Sequence, residues 1–271
     1  MPTRLFLAGA AVALSSCSSP AEVAERTGAA PGATTGPAAS ATASARAQGN
    51  ARAVSEETDL YSFKFSYPAA AGAIAPLAAR LDDEAEKARA ELIAEAKAAQ
   101  AEAQKEGFPY HAHSYGAEWQ TVADISGFLS LSNLFSTYTG GAHGMYGMQG
   151  YVWDKRAGRG FDSADLFTSK AALQSALGDA LCDALNRERV EKRGAPIDPG
   201  DELFSGCPGL DEATVLVGSS NAKTFDRITV WYGPYVAGSY AEGAYELDFP
   251  MSPAMVAAVK PAYRVAFSAK R

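Results

Sequence analysis

The chain has 271 residues, 47% of them apolar and 20% charged, with 24 basic against 31 acidic side chains for a net charge of -7. Those proportions suit a globular protein of one or two domains and exclude both a wholly disordered chain and a polytopic membrane protein. The acidic balance argues against a nucleic-acid-binding surface, and three cysteines with three histidines are too few for a zinc-rich or iron–sulfur protein.

Met1 to Leu14 carries one positive charge, Arg4, followed by ten apolar or small residues from Leu5 to Leu14, the pattern of a signal-peptide h-region. A transmembrane helix needs roughly 20 apolar residues, and no stretch reaches that length. The run ends in Leu14-Ser15-Ser16-Cys17, which resembles the lipobox of bacterial lipoproteins. The resemblance implies cleavage after residue 16 and a lipid on Cys17; the alternative is an ordinary secretory signal with an incidental cysteine. Ser18 stands where some bacteria read an aspartate as a retention signal, so the periplasmic face of the outer membrane is the expected address. Residues 17–55 are rich in Ala, Ser, Thr, Gly and Pro, with no aromatic, Leu or Ile. They cannot bury enough apolar surface to offset chain entropy, and read as a tether between a lipid-anchored end and a folded part beginning near Glu56. Setting aside four basic and two acidic residues before Glu56 leaves 20 against 29, about -9, on residues 56–271.

Within the folded part, Tyr61, Phe63, Phe65 and Tyr67 alternate with polar residues and Pro68 ends the run, predicting a half-buried strand over 60–67. From Pro76 to Glu106 the spacing of Leu77, Leu81, Ala85, Ala88, Leu92, Ala96, Ala99 and Ala103 predicts one long amphipathic helix stopped by Gly107. Its acidic outer face reads as a solvated surface, with a cation-attracting docking surface as the alternative. Residues 110–123 and 128–138 predict a hairpin turning at 124–127, and Met145 to Trp153 a further strand. A single helix is expected from Ser169 to about Lys192, with Leu173, Leu177, Leu181 and Leu185 every four residues. A loop over 196–209 follows, then strands at 213–218, 225–232 and 244–249 and a short helix near 252–259. Strands and helices in segregated runs indicate an α+β fold with mixed or antiparallel sheets, the second helix packed on the sheet. In an oxidising compartment Cys182 and Cys207 are expected to form a disulfide, the alternative being two separate buried thiols.

No G-x-S-x-G elbow, H-E-x-x-H, Walker loop or dinucleotide fingerprint occurs, so no catalytic residue, cofactor or metal is assigned. His111 and His113, two apart, would leave one face of a strand, and His143 could complete a three-histidine zinc site. The plainer reading is that His111 and His113 are exposed at a strand start while His143 hydrogen-bonds within its glycine-rich turn. The glycines beside it, Gly141 among them, let backbone amides approach a ligand, or form only a tight connection. The segment from Trp231 to Gly243 alternates bends with aromatic rings, of which Tyr235 and Tyr240 are the expected exposed members. Such segments suit sugar or protein recognition as well as core packing.

Tyr138-Thr-Gly-Gly-Ala-His-Gly144, then a strand, a turn, Asp165-Leu166-Phe167 and Tyr235-Val-Ala-Gly-Ser-Tyr-Ala-Glu-Gly243, resembles the extracytoplasmic domain of unknown function of the RsiV anti-sigma factor and of PdaC-type peptidoglycan deacetylases. The strand at 63–68 and the long helix are similar to the small domain that usually precedes it. The resemblance places a small subdomain at 56–125 and an RsiV/PdaC-like domain at 126–271. It implies ligand recognition at the cell envelope, with Tyr138, Gly141, His143, Tyr235 and Tyr240 as binding residues. The expected partners are peptidoglycan or a basic lysozyme-like protein, and not nucleic acid. The rival readings are a small envelope hydrolase using His143 and a structural lipoprotein.

Overall fold

The structure, a computed structural model, describes residues 44–45, 50–197 and 204–270. The signal-peptide segment, Cys17 and most of the expected tether lie outside the described residues. Among the described residues no helix is long and apolar enough to cross a membrane.

The fold is α+β. One sheet runs in the order β1 (Ser44–Ala45), β2 (Arg52–Glu57), β3 (Tyr61–Tyr67), β4 (His113–Ile125), β5 (Phe128–Tyr138), β6 (Met145–Asp154) and β7 (Arg159–Asp162). Every pairing is antiparallel except β3 with β4. A parallel pair cannot be joined by a tight turn, and the crossover here is α1 (Ala69–Gly72) followed by α2 (Ala75–Glu106). Pro at the start of α2 suits the first turn, where an N–H would have no partner, and Gly107 ends it at φ 76°. The second sheet is β10 (Tyr245–Pro250), β9 (Arg227–Tyr232) and β8 (Ala213–Gly218), all antiparallel, accompanied by α3 (Lys170–Leu177), α4 (Asp179–Arg193) and α5 (Pro253–Ala258).

Two cores lie on opposite faces of the larger sheet. Leu77, Leu81, Ala85, Leu92 and Ala96 of α2 pack on Phe63, Phe65, Trp119, Leu129, Leu131 and Trp153. The other face contributes Ala123, Ile125 and Val152 to a core with the second sheet and the C-terminal helices. A β-bulge between Thr121 and Ala123 makes this division within one strand. Ala117 and Trp119 face the α2 core, whereas Ala123 and Ile125, of the same parity, face the other.

Three expectations change. The folded part starts before Glu56: β2 takes residues 52–55 from the expected tether. Arg52 pairs with Asp82 of α2, and Glu56, buried, receives Arg89 Nε at 2.7 Å and the Tyr61 hydroxyl at 2.7 Å. The hydrogen bond from Arg89 holds the Glu56 carboxyl below its ordinary range against the opposing effect of burial. The single helix over 169–192 is two helices, because Gly178 sits at φ 56°, ψ -141°; the four-residue leucine stripe continues across the break and so conceals it. The boundary at 125/126 falls in the β4–β5 turn, where the sheet is continuous on both sides.

Candidate functional site

The loop between β5 and β6 carries His143, and the loop between β9 and β10 carries Tyr235 and Tyr240. The structure brings these three rings together. The His143 ring stacks on Tyr240 with centroids 3.9 Å apart, and Tyr235 lies 5.6 Å from Tyr240 and 6.4 Å from His143. His143 and Tyr235 are exposed, and Tyr240 is half-buried beneath them. Behind them Tyr146 of β6 meets Tyr240 and Trp231 edge-on, at 6.2 and 6.3 Å.

Hydrogen bonds fix the ridge to the sheet. The Gly144 carbonyl oxygen accepts from the Tyr240 hydroxyl at 2.7 Å and lies 2.9 Å from His143 Nδ1. A carbonyl can only accept, so Nδ1 carries the proton and Nε2, 3.3 Å from the Tyr235 hydroxyl, faces the third ring. The Tyr146 hydroxyl accepts from the Ala244 amide at 3.0 Å. Two glycines of the His143 loop have a steric reason to be glycine: Gly140 has φ 89°, and a Cβ on Gly144 would stand 2.8 Å from the Thr137 carbonyl oxygen. Gly141 has neither constraint and is exposed. Tyr138 ends β5 opposite Ser114 and is half-buried; the rings that meet His143 are Tyr235 and Tyr240.

Tyr235 has φ 67°. For a bulky side chain this left-handed backbone is costly, by about 1–2 kcal/mol relative to the right-handed region. The surrounding loop holds it there. Glu242 accepts from the Ser239 amide and hydroxyl, closing a capping box, from Arg193 Nε at 2.8 Å and from the Tyr245 hydroxyl. Burial opposes ionisation of Glu242, but the hydrogen bonds from Tyr245, Arg193 and Ser239 outweigh it and bring its pKa to about 2. Burial, followed by the bond to Glu242, pushes Tyr245 to about 12.

The loop is also gripped by one face of α4. Arg189 is wholly buried and donates from Nε to the Ala237 carbonyl at 2.9 Å, from Nη1 to Asn186 Oδ1 at 3.1 Å and Ser205 O at 3.3 Å, and from Nη2 to Gly206 O at 2.8 Å. Cys182, two turns earlier on α4, is joined to Cys207 by a disulfide with Cα atoms 5.6 Å apart. Sequence reasoning missed Arg189, Glu242 and Tyr146. An arginine in a polar helix and a tyrosine in a strand carry no signal of their own; only the tertiary contacts single them out.

His113 is corrected from exposed to buried. It opens β4 opposite Tyr61, with the Tyr110 ring 5.7 Å away, and its Nδ1 has no hydrogen-bond partner. His111 is exposed, and its Cβ would lie 3.8 Å from a Cβ placed on Gly140, so it backs the same loop. Among the described residues no three His, Cys, Asp or Glu side chains are grouped to hold a metal ion.

Comparison with known proteins gives a family match over part of the chain. Residues 54–146 match the family described as Deacetylase PdaC. The matched stretch spans β2 through the start of β6 and includes the Tyr138–Gly144 motif and Tyr146; residues 147–271 lie outside it. No curated protein matches the chain. Two crystal structures of DUF3298-family proteins are similar. One, from Bacteroides fragilis, is 17% identical with a TM-score of 0.45, over 78% of this chain and 89% of that one. The other, from Pseudomonas aeruginosa, is 18% identical with a TM-score of 0.39, over 87% of this chain and 99% of that one.

Proposed function

We propose that this protein is a non-catalytic binding module for a cell-envelope glycan, held at the periplasmic face of the outer membrane by a lipid on Cys17. The observation that carries the reading is Tyr235: an aromatic ring 49% exposed, on a left-handed backbone, beside the stacked pair of His143 and Tyr240. Strain of that kind persists where surrounding structure enforces it, and such positions cluster at ligand-binding sites. Flat rings projecting from a rigid loop offer contact area to the apolar faces of sugars at low entropic cost. His143 is held for ring contact, with Nδ1 bonded to the turn carbonyl and Nε2 3.3 Å from the Tyr235 hydroxyl. The charge of about -9 over residues 56–271 supports a second occupant, a basic wall-degrading protein drawn by electrostatic steering.

The test of the ridge is titration with soluble peptidoglycan glycan strands and, separately, with lysozyme. Tyr235→Gly is expected to weaken glycan binding by about tenfold, the loss of one stacked ring, while leaving stability within about 1 kcal/mol, because glycine accepts φ 67° freely. Unchanged affinity for both probes in Tyr235→Gly would remove the ridge from the binding site. Affinity for lysozyme alone, falling steeply with salt, would select the protein partner.

The anchor rests on Leu14-Ser15-Ser16-Cys17 after the apolar run. Cys17→Ala is expected to leave the chain unprocessed or to move it into the soluble fraction. Membrane fractionation that finds the variant processed and bound like the parent would overturn the lipid anchor.

A further inference from the structure

Among the described residues the second sheet ends on β10, which pairs with β9 alone. The Met251 amide donates to the Asp226 carbonyl at 2.9 Å, and this bond fixes the parity of the pairing. In an antiparallel ladder alternate residues exchange both bonds with the partner strand, while the residues between them point both groups away. Residues 245, 247 and 249 therefore face β9, and Glu246, Asp248 and Pro250 face outward. Among the described residues the outward amides of Glu246 and Asp248 have no main-chain partner.

Such an edge is a template for another strand, and proteins blunt it with proline and with charged side chains. In β10 the main-chain blunting is confined to the ends. Pro250 has no N–H to offer, and before the other end Lys192 of α4 donates to the carbonyls of Ala244 and Glu242, the latter at 3.3 Å. Between them lies a groove of ≈480 Å³, with Glu246, Leu247 and Asp248 as one wall and Arg187, Glu188, Glu191 and Lys192 of α4 as the other. Successive side chains of a strand point to opposite faces, so a wall of three consecutive residues presents the main-chain edge itself.

The charges of the groove decide its occupant. Four carboxylates, Glu188, Glu191, Glu246 and Asp248, stand against two bases, Arg187 and Lys192, a balance of -2. Glu188 has Lys192 at 3.2 Å and Asp248 has Arg227 at 3.9 Å, whereas among the described residues Glu191 and Glu246 have no ion pair within 4.0 Å. A second copy of this chain is disfavoured, because two-fold pairing centred on Leu247 would set Glu246 across from Asp248, and like charges directly opposite destabilise a sheet. A strand bearing Lys or Arg meets the same carboxylates favourably.

We propose that the groove between β10 and α4 receives an extended, Lys- or Arg-bearing segment of another protein, which adds a fourth strand to the second sheet. Main-chain bonds to Glu246 and Asp248 hold the segment, and the carboxylates select its charge. This site is separate from the His143 ridge and does not depend on the glycan reading.

Calorimetric titration of the purified chain with the peptide acetyl-Thr-Lys-Val-Lys-Val-Lys-Thr-amide tests it on the unaltered protein. Saturable binding is expected, and a peptide with glutamate in place of every lysine should bind at least about tenfold more weakly. Methylating the peptide's main-chain nitrogens at the lysines, or instead at the valines, separates the two edges of the added strand. One pattern should abolish binding and the other leave it within about threefold, since only one set of amides meets β10. Asp248→Pro removes an outward N–H that the sheet does not use and should lower affinity at least about tenfold, whereas Asp248→Asn keeps that N–H and should lower it less. Equal loss from the two methylation patterns, equal affinity for the lysine and glutamate peptides, or no saturable binding would overturn the assignment.

Discussion

Replacing Arg189 by Met should destabilise the protein by about 3 kcal/mol, measured as a shift of the urea midpoint or as a fall in Tm of about 6–12 °C. The reasoning begins with burial: the side chain has no exposed surface and no carboxylate among its hydrogen-bond partners. Burial, assisted by the neighbouring Arg193, lowers its pKa from 12.5, so the fold holds this charge at a cost and offsets it with carbonyl dipoles from three segments. Methionine fills similar volume but donates nothing. The Ala237 carbonyl then loses its donor inside the protein, whereas Ser205 and Gly206, which are less buried, can turn to water. That asymmetry sets the expected value near 3 and not higher. A change within about 0.5 kcal/mol would show that the loops hold their places without the guanidinium.

Removing the disulfide by Cys182→Ser/Cys207→Ser, or by reductant, should cost a comparable amount, about 3–4 kcal/mol. The bond closes a separation of 25 residues, and the chain-entropy relation gives that range for such a loop. Because Cys182 and Arg189 fix the same stretch from one helix face, their effects should not add. Once the loop is released by one, the other holds a segment that is already ordered less, so the combined variant should lose less than the sum. Identical thermal midpoints with and without reductant would contradict the expected contribution.

The sequence-visible part of the fold is the part whose burial is periodic. The stripe of α2 and the aromatic alternation of β3 are each read from one face, and both elements lie within a residue or two of their expected limits. β2 gave no such signal: of Arg52-Ala-Val-Ser55 only Val54 is a large apolar residue, and the strand forms through main-chain pairing and through Arg52 and Glu56 reaching α2. β7, four residues paired to the end of β6, is similarly half-exposed and carries no periodic signal. At the ridge, the dense aromatic segment and the glycine turn were legible as chemistry, but their meeting was not. Residues 92 apart, His143 and Tyr235, come together only through the packing of the second sheet and the grip of α4. Tyr138 and Gly141 share the glycine turn with His143, and nearness in a turn does not decide which side chains face a common direction.

The bulge in β4 has a consequence for which changes of length the chain can survive. Ala117, Trp119, Ala123 and Ile125 share parity, so a pattern of apolar residues at every second position suggests one buried face, yet the extra residue near Val122 deals them to two cores. Deleting Val122 would leave Thr121 opposite Leu131 followed directly by Ala123 opposite Ser130, an ordinary pleat in which every later side chain keeps its partner and its face. The strand can therefore lose one residue there with the contents of both cores in place; what goes with it is the local bend and added twist by which a bulged strand turns from one core toward the other.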